Sequence, residues 1–273
     1  MNSSPPIALT IAGSDSSAGA GLQADLKAFA ANGVYGVCAV TAVVAEAPGS
    51  VMRAQPVDPT LLRTQLESVA STFPVAAYKT GMLANGDLVG EVVSFARTHP
   101  ELPLVVDPVL VAGAGSVLLD DSGLDRLRSE LLPVARLVTP NLLEAEALLG
   151  ASIRSMADFA SAPRQIHERY GCQVLLKAGH FSDNNGSIIT DRAWIDGEAY
   201  AFSRPRLNVP DVHGTGCMLS AAITARLALG GSMAASIEEA SRYLSEALAR
   251  HHRWTGPRGG IEALNAFPDG LQC

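Results

Sequence analysis

Along the chain, short apolar runs alternate with longer stretches in which apolar residues recur every three or four positions. Ile7 to Ala12 is apolar apart from Thr10, the pattern of a strand buried on both faces. Gly13 to Ala18 follows as a loop of small residues. Gly21 to Asn32 sets Leu22, Leu26 and Phe29 at helical spacing, and Asn32-Gly33 supplies a stop. Gly36 to Val44 reads as a second strand. Asp58-Pro59 combines an N-cap with proline at the first helical position, and predicts a helix to about Thr72. Ala76 to Thr80 and Leu104 to Asp107 read as strands, with a helix from Asn85 to Thr98 between them. A strand at Arg136 to Thr139 ends at Pro140, and Leu142 to Leu149 is helical. Ser155 to Tyr170 reads as a helix opened by a Ser155/Asp158 capping box. Val174 to Lys177 is a further strand, and Ile188 to Phe202 a hairpin turning at Asp196-Gly197. Two Ala-rich helices, Gly214 to Leu229 and Ile237 to Arg253, close the pattern.

This alternation predicts an α/β fold in three αβα layers, with a mainly parallel central sheet covered on both faces. With no internal repeat or linker, the 273 residues read as a single domain over 1–273. At 48% hydrophobic and 17% charged residues, there is ample material for a core. The net charge of −7 argues against nucleic acid as a partner. It leaves nucleotides open, because backbone amides hold them locally. Met1 to Pro6 lacks the basic and apolar regions of a signal peptide, and no apolar run reaches the roughly 20 residues that span a membrane. Cys38, Cys172, Cys217 and Cys273 are scattered without a CxxC pair, so a reduced, cytoplasmic protein without a zinc site is expected. Cys38 and Cys172 read as buried filler.

In open parallel sheets, ligands bind beyond the carboxyl ends of the strands. Polar and Gly-rich residues cluster at those ends: Gly13-Ser14-Asp15, Glu46, Lys79 to Met82, Asp107-Pro108-Val109, Pro140-Asn141, Lys177 to His180, and Asp211 to Cys217. The sharpest is His213-Gly214-Thr215-Gly216-Cys217, which runs straight into an apolar helix. Its glycines allow a ligand to approach the backbone, and the first free amides of the helix form an anion site. Cys217 stands at the helix start, where a lowered thiol pKa is expected. An anion hole beside an ionisable group suits in-line phosphoryl transfer. The competing reading is a turn that packs the helix on the sheet. Neither a Walker A motif nor GxGxxG is present.

These segments, in this order and spacing, resemble the ribokinase-like superfamily. Within it they resemble the hydroxymethylpyrimidine/phosphomethylpyrimidine kinases of thiamine biosynthesis. The carrying residues are Ala8 to Asp15, Ala18 to Lys27, Lys79 to Leu83, Asp107 to Val109, Thr139 to Glu144, Lys177 to His180 and His213 to Cys217. The resemblance implies transfer of phosphate from ATP, with Mg²⁺, to the hydroxymethyl or phosphomethyl group of an aminopyrimidine. It implies an anion hole at Gly214, Thr215 and Gly216, and Cys217 in place of the sugar kinases' Asp base. Asn141 and Glu144 match the family's NxxE motif, which organises magnesium through water. Lys177 is expected at the ATP phosphates with His213 beside them, and Asp107 on the nucleotide or metal side. Gly13, Asp25, Met82 and Val109 are expected to face the acceptor, and a homodimer is implied. Taken singly, Asn141 also reads as an N-cap, Glu144 as a first-turn acid, Lys177 as a solvated strand end and Asp107-Pro108 as turn chemistry.

One position departs from the family pattern. Glu46 stands where the family carries a Gln that contacts the aminopyrimidine. An amide both donates and accepts, whereas an ionised carboxylate only accepts. Either Glu46 is protonated, or the ring is, or the substrate differs, or Glu46 points elsewhere. A kinase for pyridoxal, pyridoxine or pyridoxamine is therefore a rival. A non-catalytic ligand-binding relative and a transferase with Cys217 as nucleophile are further alternatives.

Overall fold

The computed structural model describes residues 4–47, 50–111, 115–179, 187–209, 212–257, 259–268 and 270. His180, Asp211 and Cys273 lie outside them.

The strands are β1 (Ile7–Asp15), β2 (Tyr35–Ala47), β3 (Ser50–Pro56), β4 (Val75–Thr80), β5 (Leu104–Val106), β6 (Leu137–Val138), β7 (Gln173–Leu176), β8 (Ile188–Ile195) and β9 (Glu198–Pro205). They form one nine-stranded sheet in the order β3-β2-β1-β4-β5-β6-β7-β8-β9. The run from β2 to β7 is parallel, while β3, β8 and β9 are antiparallel additions at the two edges. The predicted three-layer, mainly parallel architecture is therefore the observed one.

Why the central strands read as unbroken apolar runs is visible in the packing. Successive residues face opposite layers. Leu9, Ile11, Tyr78, Leu104, Val106, Val174 and Leu176 enter one core. Ala8, Ala77, Val105, Leu137 and Leu175 enter the other. The first core is covered by α2 (Pro59–Thr72), α3 (Gly86–Thr98), α4 (Asp121–Arg126), α5 (Leu142–Leu149) and α6 (Met156–Tyr170). The second is covered by α1 (Gly21–Ala31), α7 (Thr215–Ala228) and α8 (Met233–Ala249). From β1 the chain adds β2 and β3 on one flank and then crosses to β4 on the other, so the topological switch lies at β1.

Four features differ from the sequence reading. β3 is an exposed edge strand of mixed polarity ending in proline, so its pattern carries no burial signal. Residues 121–134 form a helix that passes through a π turn and a 3-10 turn, and Gly123 and Pro133 mask its periodicity. Helix α8 begins a turn earlier than Ile237 and stops at Ala249. The residues after it make a two-stranded hairpin, β10 (His252–Gly256) with β11 (Gly259–Ala263), apart from the main sheet.

Candidate active site

The Gly214 to Cys217 turn divides two cavities at the carboxyl ends of the strands. The first, of about 280 Å³, takes its walls from Gly13, Glu46, Met82, Asp107, Val109, Asn141, Glu144, Lys177, His213 and all four residues of the turn. The second, of about 220 Å³, shares Lys177, Val212, Thr215 and Gly216 with the first. Its other walls are aliphatic at Ile189, Pro205, Leu207, Val209, Leu219, Leu244 and Leu248, together with Arg204, Arg206 and Ser245. A lobe of acidic and basic strand-end groups, the polar lobe, and a lobe of mostly aliphatic side chains, the apolar lobe, thus meet at one glycine turn.

The turn is built for close approach. Gly214 has φ +87°, and a Cβ on it would stand 1.8 Å from Gly19 O, so no other residue fits. Its carbonyl accepts from Met218 N, which starts α7. The N–H groups of Thr215, Gly216 and Cys217 belong to the first turn, where helices leave donors without intrahelical partners. A Cβ on Gly216 would meet Lys177 Nζ at 3.2 Å and Asp107 Oδ2 at 3.7 Å.

Around the turn, the strand ends deliver an ordered ion network. Lys177, just past β7, donates to Asp107 Oδ1 at 3.0 Å and lies 4.0 Å from Glu144 Oε2. Burial opposes the charge on Asp107, yet Lys177 and Lys79 hold its carboxyl below the usual range. Burial pushes Glu144 up to about 7, against the pull of Lys177. Asn141 caps α5: its side chain accepts from Glu144 N at 2.9 Å, and Glu144 Oε2 accepts from Asn141 N at 2.7 Å. The N-cap reading of Asn141 and its place in the cavity wall are therefore both true. The cap fixes where the Glu144 carboxylate points.

Three expectations are corrected. Asp25 does not reach the cavity: it is fully buried, accepts from Thr10 Oγ1 at 2.6 Å and pairs with Lys79 Nζ at 2.8 Å. His213, expected beside the ATP phosphates, lines the polar lobe and not the apolar one, and its Nε2 lies 2.9 Å from Glu46 Oε1. The thiol of Cys217 is not lowered. Burial pushes it up to about 12; Lys79 and the Gly21 amide pull the other way, while the Asp25 and Asp107 charges add to the rise. A helix start favours a thiolate only where solvent or a cation compensates desolvation.

Lys79 was visible in the sequence only as a polar strand end. Its side chain is fully buried, and the carboxylates of Asp25 and Asp107 keep it charged against burial. Asp15 was likewise seen without a role. Its carboxylate gathers Ser17 N, Ser17 Oγ and the amides of Gly19 and Ala20 at the end of β1. The walls of the apolar lobe come from β8, β9 and α8, whose apolar residues carry no motif.

Two residue groups have the chemistry for a metal. Glu144, steadied by Asn141, is a hard oxygen donor facing the cavity beside Asp107, which suits an ion that keeps several waters. Asp15, Glu46 and His213 also bring three donor atoms within 4.8 Å of one another. There the Asp15 oxygens are already engaged by four donors, and the row behaves as an ion-pair network.

Comparison with known proteins extends the geometry. The family model described as phosphomethylpyrimidine kinase matches residues 15–261. The hydroxymethylpyrimidine/phosphomethylpyrimidine kinase of Haemophilus influenzae is 38% identical over 244 residues, covering 88% of this chain and 90% of that protein. Among solved structures, the phosphomethylpyrimidine kinase of Clostridium difficile matches with TM-score 0.77 at 33% identity, over 89% of this chain and 99% of that one. The Bacillus subtilis pyridoxal kinase, solved with ADP, matches with TM-score 0.85 at 32% identity, over 96% and 98%.

Proposed function

This chain belongs to the phosphomethylpyrimidine kinase family, and on that premise we propose that it transfers a phosphoryl group from ATP to an aminopyrimidine carrying a hydroxymethyl or phosphomethyl group. The observation that carries the reading is the Gly214 to Cys217 turn set between two lobes, with Lys177 shared by both. The apolar lobe suits a nucleobase, and the polar lobe the accepting alcohol. The amides of Thr215 to Cys217 and the Lys177 ammonium would meet the charge on the phosphoryl group in flight.

Cys217 sits in the acceptor lobe as a neutral thiol. In a loose transition state the hydroxyl keeps its proton until late, and the oxygens of the transferred phosphoryl group can then take it. The sulfur's task is then to hold that oxygen in line with the phosphorus, which is where positioning contributes most. Glu144, oriented by Asn141, would hold Mg²⁺ through water, and the ion would neutralise phosphate charge. Asp107 fixes the Lys177 ammonium at the turn. The enzyme would act as a cytoplasmic homodimer on a small-molecule substrate, each chain working as one ribokinase-like unit. None of the described helices is long and apolar enough to cross a membrane.

A second reading is phosphorylation of a pyridoxal-type alcohol. Glu46 in the acceptor wall favours it, because a carboxylate suits a protonated pyridine nitrogen, and pyridoxal kinases are among the similar solved structures. A substrate panel separates the readings. Purified protein should consume ATP only with Mg²⁺ and an added aminopyrimidine alcohol or its phosphate. Stimulation by vitamin B6 alcohols alone would select the second reading. Failure of every heteroaromatic alcohol to stimulate ATP loss would leave a non-catalytic relative.

A further inference from the structure

One wall of the acceptor lobe carries a row of three titratable side chains from separate parts of the chain: Asp15 ending β1, Glu46 in β2 and His213 before α7. His213 Nε2 stands 2.9 Å from Glu46 Oε1 and 3.7 Å from Asp15 Oδ2. That nitrogen is shielded from solvent and aligned for a hydrogen bond with neither carboxylate. Every member is fixed. Asp15 is saturated by Ser17, Gly19 and Ala20. The Ser16 hydroxyl accepts from Glu46 N at 2.9 Å and donates to Glu46 O at 2.8 Å, which sets where the Glu46 side chain starts. The imidazole rests on Gly19, where a Cβ would come within 3.2 Å of Cδ2.

The row is electrically isolated from the rest of the cavity. The other charged groups there, Lys177, Asp107 and Glu144, pair among themselves. Behind His213 lies a neighbouring cavity with Lys27, His252 and Glu262 in its walls, and Glu262 is paired with His251. The Asp15 carboxylate, with Glu46 and against burial, holds the His213 pKa above its ordinary value. Burial, with Asp15, raises the Glu46 pKa above its ordinary value, and His213 is the group that limits the rise.

We propose that His213 is a positioning residue that keeps Glu46 an acceptor-only carboxylate, so that the pocket selects alcohols whose ring presents N–H donors, an exocyclic amine together with a protonated ring nitrogen. The inference rests on the kinase reading of this site. An ionised carboxylate pairs with a cationic ring edge through charge-assisted hydrogen bonds, and repels a bare ring nitrogen. A Gln at this position would read the neutral ring instead, by donating to the nitrogen and accepting from the amine. Without the His213 cation, Glu46 would hold its proton to higher pH, and in that form it reads the ring as an amide does. Recognition is therefore proton-linked: the ring's proton is lost as pH rises, and acceptor affinity is lost with it.

The test is the pH profile of acceptor KM and kcat for wild type, Glu46→Gln, His213→Gln and the double variant. In wild type, KM should rise about tenfold per pH unit above the ring's own pKa while kcat stays level. Glu46→Gln should flatten the KM profile. His213→Gln should flatten it too, and should change nothing further in the Glu46→Gln background, because the two act as one unit. A flat wild-type KM overturns the proposal, and needs no variant to fold. An equal effect of His213→Gln in both backgrounds also overturns it, since that is the signature of a structural role. Failure of every heteroaromatic alcohol to stimulate ATP loss removes the kinase reading and this inference together. Acceptor-dependent turnover with a flat KM removes this inference alone.

Discussion

Two ammonium groups lie beside the Gly214 to Cys217 turn, and their partners decide what each does. Lys177 is shared by both lobes and is held by Asp107. Lys79 has no exposed side-chain surface and is paired with the equally buried Asp25. Burying such a pair costs both charges their hydration, and breaking it strands one of them. Lys79→Met should therefore lower unfolding free energy by about 3–5 kcal/mol in urea titrations, with Asp25→Leu in the same chain restoring most of the loss. A loss below about 1 kcal/mol, typical of an exposed pair, would contradict the buried assignment. This is also where the sequence misleads. Asp25 sits in a motif-bearing segment, and the sequence cannot tell a carboxylate facing substrate from one facing a lysine 54 positions away. Cys217 misleads for the same reason: its place at a helix start is legible, but the burial that overrides the dipole is not.

At the scale of elements, strand ends and helix starts do the positioning, and their local chemistry is largely legible. Asp58, Asn85, Asn141 and Ser155 cap the helices that their sequence predicts. The buried strands announce themselves as apolar runs because each feeds two cores at once. What escapes is structure without an exposed-to-buried pattern, namely the edge strand β3 and the β10–β11 hairpin, and the helix at 121–134, whose buried leucines are interrupted by Gly123 and Pro133. The caps also allow structure and function to be separated. Asn141→Ala should cost about 1 kcal/mol of stability, the usual value of an N-cap, and should lower turnover besides, because it releases Glu144 from its capping box. Asp58→Ala removes a cap far from the cavity, so it should lower thermal stability and leave kcat unchanged. Equal kinetic effects in the two variants would show that the Asn141 cap has no special link to the site.

At the scale of the whole molecule, the sheet brings together residues from both ends of the chain. Gly13 comes from β1, Glu46 from β2, Asp107 follows β5, Glu144 opens α5, Lys177 follows β7, and the turn opens α7. Topology places all of them at one edge, which is why their order along the chain could be read as a site. The apolar lobe could not be read so, because Ile189, Leu244 and Leu248 look like any core residues until the fold leaves them beside a cavity. On the proposed function, phosphoryl transfer takes place at the turn between the lobes, with Cys217 acting on the acceptor and not on the nucleotide. The direct measurement is single-turnover formation of the phosphorylated alcohol by wild type and by Cys217→Ala, with nucleotide affinity measured on the same preparations. The predicted result is a loss of about a hundredfold or more in the transfer rate, with the nucleotide Kd unchanged. A transfer rate close to that of wild type in Cys217→Ala would contradict it.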